Sequence, residues 1–73
     1  MNTLSKQKVG SRCEIETMAL THVKKMRLLG LGINTGLKVS ILRNRGGDMV
    51  LALGNARVSV GRTIADLIKV RMV

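Results

Sequence analysis

Leu37-Lys38-Val39-Ser40-Ile41-Leu42-Arg43-Asn44-Arg45-Gly46-Gly47-Asp48-Met49-Val50-Leu51-Ala52-Leu53 decides the fold class of this chain. Leu37, Val39 and Ile41 alternate with Lys38, Ser40 and Leu42, the two-residue period of a strand with one buried face. Leu42 breaks the polar face, so it points outward as a candidate interface residue. Gly46-Gly47-Asp48 supplies residues that accept the positive φ of a tight turn, and Met49 to Leu53 returns as the second arm of a hairpin. The predicted strands are Leu37 to Arg45 and Met49 to Leu53.

Downstream, Gly54-Asn55 marks another turn and Arg57 to Val60 alternates again. After a break at Gly61, Thr63 to Asp66 suits a single helical or 3₁₀ turn, and Ile68 to Met72 forms a last strand. Upstream, Arg12 to Met18 alternates, with Cys13, Ile15 and Thr17 on one side and Arg12, Glu14 and Glu16 on the other. Thr21 caps a short helix over Thr21 to Leu29, whose stripe Leu20, Val23, Met26 and Leu29 is expected to face the core. Leu28 lies off that stripe and is expected to be exposed, while Gly30 is placed to end the helix in the left-handed conformation. Leu31 to Gly36 reads as a connector.

Many short strands, one helix after the first strand and no long crossover predict a mainly β fold, a small antiparallel barrel of about five strands closing on itself. SH3-like and OB-like barrels both fit. Val39, Ile41, Leu51, Val58, Val60, Ile68 and Val70 hold the inward positions, and the first eight residues read as a flexible tail.

The chain has 73 residues and a mass of 7.9 kDa, the size of one small domain, 1–73. Surface scaling gives about 4,400 Å² when folded. Apolar residues make up 45% of the chain, so a core exists, but Phe, Trp and Tyr are absent and aliphatic packing must fill it. Thirteen Lys and Arg against four Asp and Glu give a net charge of +9, which favours acidic proteins, an anionic membrane surface or nucleic acid. The absence of aromatics counts against nucleic acid, because unpaired bases have nothing to stack on. A small basic nucleic-acid-binding barrel is the alternative function. One cysteine excludes a disulfide framework and fits a reducing cytosol. No apolar run reaches the length of a membrane span, and the first residues lack a secretory pattern, so a cytoplasmic location is expected.

Arg27-Leu28-Leu29-Gly30-Leu31-Gly32-Ile33-Asn34-Thr35-Gly36 resembles the R-L-x-x-L-G-[LI]-x-x-G signature of the FeoA family of small ferrous iron transport proteins. Leu4, Gly10 and Ile15 resemble that family's opening pattern, and Ala65-Asp66-Leu67-Ile68-Lys69-Val70 its closing A-x-x-I-x-V. Thr35 stands where the family often has proline before the glycine, which loosens the turn without changing its type. The resemblance implies an SH3-like barrel with a helix after the first strand. It also implies a cytosolic accessory protein of FeoB, the membrane ferrous iron permease with a GTP-binding domain. A related domain closes the iron-dependent repressors of the DtxR type, but no helix-turn-helix pattern occurs here.

No chemistry is encoded. His22, Cys13, Glu14, Glu16, Asp48 and Asp66 are the conventional metal ligands, and no His or Cys pair has ligand spacing. His22 reads as solvated and Cys13 as a small buried hydrophobe. Gly30-Leu31-Gly32 lacks the lysine-serine pair of a phosphate loop, and no nucleophile has a base placed beside it. The expectation is a protein with no enzymatic activity, no cofactor and no tight metal site. The candidate partner-binding residues are Lys24, Lys25, Arg27, Leu28, Leu31 and Leu42, with Leu28 as apolar anchor and the three cations as its rim. Gly30, Gly32 and Gly36 are the turn glycines. Self-association is compatible with this reading.

Overall fold

A computed structural model describes residues 2–73. Its elements are a 3₁₀ turn at Leu4–Lys6, β1 (Arg12–Met18), α1 (His22–Gly30), β2 (Lys38–Arg45), β3 (Asp48–Leu53), β4 (Ala56–Gly61), α2 (Arg62–Ala65) and β5 (Ile68–Met72). All five predicted strands and the helix are present, within a residue or so of their expected ends. The strands form one antiparallel sheet in the order β4-β3-β2-β1-β5. The accessible surface is 4683 Å², close to the scaling value.

Two tight turns give the meander its register. Arg45 pairs with Asp48 across Gly46-Gly47, and Gly46 takes φ +68°, so β2 and β3 meet in a two-residue hairpin. Gly54 does the same at φ +62° between β3 and β4, where Leu53 pairs with Ala56.

The expected closure does not occur. No ladder joins β4 to β5 among the described residues, so the sheet is an open curl. An open sheet cannot bury its inner face alone, and two short segments finish the job. α2 fills the gap between the edges with Ala65, fully buried, and the half-buried Ile64. The amino-terminal segment covers the rest, contrary to its reading as a flexible tail. Leu4 is 0% exposed, Thr3 bridges to Lys69, and the Val70 N–H donates to the Asn2 carbonyl at 2.7 Å. A single Leu among Lys, Ser and Gln carries no periodicity, which is why its burial was illegible.

Arg62 ties these pieces together. Its Nε donates to the Gly46 carbonyl at 2.9 Å, Nη1 to the Ser5 carbonyl at 3.2 Å and Nη2 to Asn44 Oδ1 at 2.6 Å. The Asn44 amide in turn donates to the carbonyls of Ser5 at 2.9 Å and Gln7 at 2.7 Å. The guanidinium thus joins α2, the β2–β3 turn and the amino-terminal segment, satisfying the Gly46 carbonyl and sharing that of Ser5 with the Asn44 amide.

Six of the seven expected core residues, Val39, Ile41, Leu51, Val60, Ile68 and Val70, are 3% exposed or less. Val58 is half-buried and packs against the cluster from its pairing with Leu51. Two bulges change the alternation. In β1 the pairing with β5 slips between Ile15 and Thr17, so Thr17, expected inside, is exposed and Met18 is buried instead. In β2 the slip between Ile41 and Arg43 leaves Leu42 outward, as expected, and turns Asn44 inward to meet Arg62.

Candidate docking surface

α1 begins as the sequence indicates. Thr21 is the N-cap, its hydroxyl accepting from the Lys24 N–H at 3.3 Å, and that bond satisfies one donor of the first turn. The end differs. Gly30 is helical with no positive φ, and the left-handed stop is Gly32 at φ +89°. The Gly32 N–H donates to the Leu29 carbonyl at 2.9 Å and the Ile33 N–H to the Leu28 carbonyl at 2.8 Å, the paired bonds of a Schellman motif. Gly36, at φ +85°, occupies the third position of the turn Asn34 to Leu37, as its family pattern implies.

The Schellman motif inverts the helix. It folds Ile33, 0% exposed, back against the residue five positions earlier, so Leu28 is 7% exposed and is the only buried residue of α1. The reading of Leu28 as an exposed anchor is therefore corrected: it is core. At 3.6 residues per turn Val23 and Met26 lie roughly opposite Leu28, and they face solvent with Leu29. Val23 is 61%, Met26 52% and Leu29 49% exposed, with Leu31 in the following turn at 50%. Three residues expected to pack inward form an outward apolar stripe instead. The signal that could have found this is the motif itself: taking Gly32 as the stop pairs Ile33 with Leu28 across it.

Lys24, Lys25 and Arg27 are exposed beside this stripe, as expected. None has an ion pair, since the single salt bridge among the described residues joins Arg71 Nη2 to Glu14 Oε2 at 2.8 Å across the β1–β5 ladder. No carboxylate occurs between Glu16 and Asp48, whereas Lys24, Lys25, Arg27, Lys38, Arg43 and Arg45 all do. Leu42, 39% exposed at the β2 bulge, neighbours Arg43, which with Arg45, Asp48 and Ser59 lines a hollow of about 330 Å³ at the β2–β3 turn. Between α1 and α2, Lys24, Arg27, Leu28 and Ile64 line a second hollow of about 150 Å³.

Other candidates do not converge. Cys13 is fully buried in β1 and burial pushes its thiol up, while His22 is exposed at the first residue of α1. No group of three or more His, Cys, Asp or Glu is placed to hold a metal ion among the described residues. Glu14 is engaged by Arg71 and Glu16 sits in the bulge. No helix of the described residues is long and apolar enough to cross a membrane.

A curled five-stranded antiparallel sheet, plugged by one helical turn and displaying an apolar helix face with a cationic rim, defines a small SH3-like domain. The chain belongs to the FeoA domain family, whose model matches residues 2–72. It is similar to a crystal structure described as an iron uptake regulatory protein (FeoA), with a TM-score of 0.89 and 21% identity, covering 97% of this chain and 96% of that one. It also resembles the solution structure of the FeoA protein from Chlorobium tepidum, with a TM-score of 0.85 and 25% identity, covering 97% of this chain and 70% of that one. Over 44 residues it is 34% identical to the "Putative Fe(2+) transport protein A" of Methanocaldococcus jannaschii, a match covering 60% of this chain. The match spans 54% of that relative, so the chain covers about half its length.

Proposed function

We propose that this protein is a non-enzymatic, cytoplasmic accessory subunit of ferrous iron uptake that docks on a FeoB-type membrane permease and influences its transport or nucleotide turnover. The observation that carries the reading is the outward stripe Val23, Met26, Leu29 and Leu31, because an apolar helix face rimmed by unpaired cations is costly to leave in water and useful against an acidic partner. Family membership supplies the system in which that partner works. The exposed Leu42 hairpin with Arg43 and Arg45 is a second contact patch in this reading, and Leu28 serves the stripe from beneath by holding α1 in place.

Capture of a full-length FeoB-type permease from detergent extract, with and without guanine nucleotide, tests the proposal. Wild type should retain the permease, and Met26→Glu and Leu29→Glu, both folded, should lose it. Equal capture by wild type and both variants sinks the assignment of the stripe. Steep, sequence-blind, salt-dependent binding to unrelated nucleic acid with no permease capture would favour the rival barrel instead.

A further inference from the structure

We infer that the hollow between α1 and α2 is a preformed recognition slot for one apolar side chain carried on an acidic segment of a partner protein, separate from the exposed stripe. Leu28 and Ile64 supply its apolar lining, and Lys24 and Arg27, about one helical turn apart and both exposed, complete it. The hollow is open to solvent on one side, and its volume of about 150 Å³ matches the end of one Leu, Ile, Met or Phe side chain rather than a longer stretch of chain.

The charge pattern selects what surrounds that side chain. Lys24 and Arg27 have no ion pair among the described residues, and both lie in the stretch between Glu16 and Asp48 that has no carboxylate. A carboxylate next to the inserted side chain would meet them, whereas a basic segment would be repelled.

Both walls are held before any partner arrives. Leu28 is locked under Ile33 by the helix stop, and Ile64 rides on α2, whose first residue is Arg62 with its three side-chain hydrogen bonds. Binding therefore needs little ordering of the site. The inference rests on the reading that this protein works by contact, and on nothing about which partner it contacts.

The test is a titration of the full chain, with Leu and Ile methyl groups labelled, by a synthetic peptide of one leucine flanked by glutamates. The Leu28 and Ile64 methyl signals should shift and saturate. Binding should weaken by about tenfold or more when glycine replaces the leucine, and again when lysines replace the glutamates. Ile64→Phe, which fills the slot, should abolish the shift at Leu28. Should that variant fold poorly, Lys24→Glu combined with Arg27→Glu alters only exposed side chains and should weaken the acidic peptide while favouring the lysine one. Equal binding of the leucine and glycine peptides, shifts confined to Leu29 and Leu31, or no shift at either slot residue would each overturn the proposal. No permease is present in the titration, so its outcome is independent of the capture experiment.

Discussion

Leu28 shows how one residue sets the character of a surface. Because it takes the single inward position of α1, its neighbours on the opposite side of the helix have nothing to pack on. Leu28→Ala should destabilise the fold by about 2 to 5 kcal/mol, read as a lower urea midpoint at unchanged slope. Met26→Glu should leave that midpoint within about 0.5 kcal/mol of wild type, since it alters an exposed side chain. Cys13 makes a second prediction at this scale. Burial raises its thiol above the ordinary value of 9.0, so the folded chain keeps a proton that the unfolded chain gives up. The associated stability is intact below about pH 9 and is lost as pH rises through the folded value. Denaturation from about pH 8 to about pH 10 should weaken wild type more than Cys13→Val, and an equal loss in both would contradict the assignment.

At the scale of elements, the two glycines at the end of α1 have opposite roles although they are two residues apart. Gly32 holds φ +89°, so Gly32→Ala should cost roughly 1 to 2 kcal/mol and loosen the pairing of Ile33 with Leu28. Gly30 is helical, and a Cβ there meets nothing within 4 Å, so Gly30→Ala should be neutral or stabilise by up to about 1 kcal/mol. Thermal unfolding of the pair distinguishes a stop at Gly32 from one at Gly30. The bulges belong to the same scale. Each adds one residue to a strand and reverses the alternation beyond it, exposing Thr17 and bringing Met18 and Asn44 inward.

Across the whole molecule, stability depends on closing an open sheet with pieces that are not strands. Removing Leu4 as Leu4→Ala should cost about 2 to 5 kcal/mol although it lies in a polar stretch, because its site is fully enclosed. Arg62→Ala should strip three hydrogen bonds from Gly46, Ser5 and Asn44 at once. Amide exchange should then accelerate first in the amino-terminal segment and α2, ahead of the central strands β1, β2 and β3. Uniform acceleration across the sheet would argue that the guanidinium cluster is not a local clasp. Wild-type exchange rates in that segment would argue that the clasp carries no weight.

Strand number, hairpin turns and the cap of α1 were legible because each is encoded locally, in a two-residue period, in glycine pairs and in one hydroxyl three residues before the amide it caps. The inward face of β2, β3 and β5 followed from the same alternation. The candidate surface was legible only in part: Lys24, Lys25, Arg27, Leu31 and Leu42 are exposed as read, whereas the helix face was inverted. Period alone marks which residues share a stripe and leaves open which of two apolar stripes meets the core. That choice was made by the Gly32 stop, which brings Ile33 onto Leu28, and by the position of α2 beside it. Burial of Leu4, the bulges at Glu16 and Leu42, the Arg62 clasp and the gap between β4 and β5 are likewise tertiary outcomes. Each depends on groups distant in sequence competing for the same enclosed volume and the same unpaired carbonyls, a competition that no local pattern records.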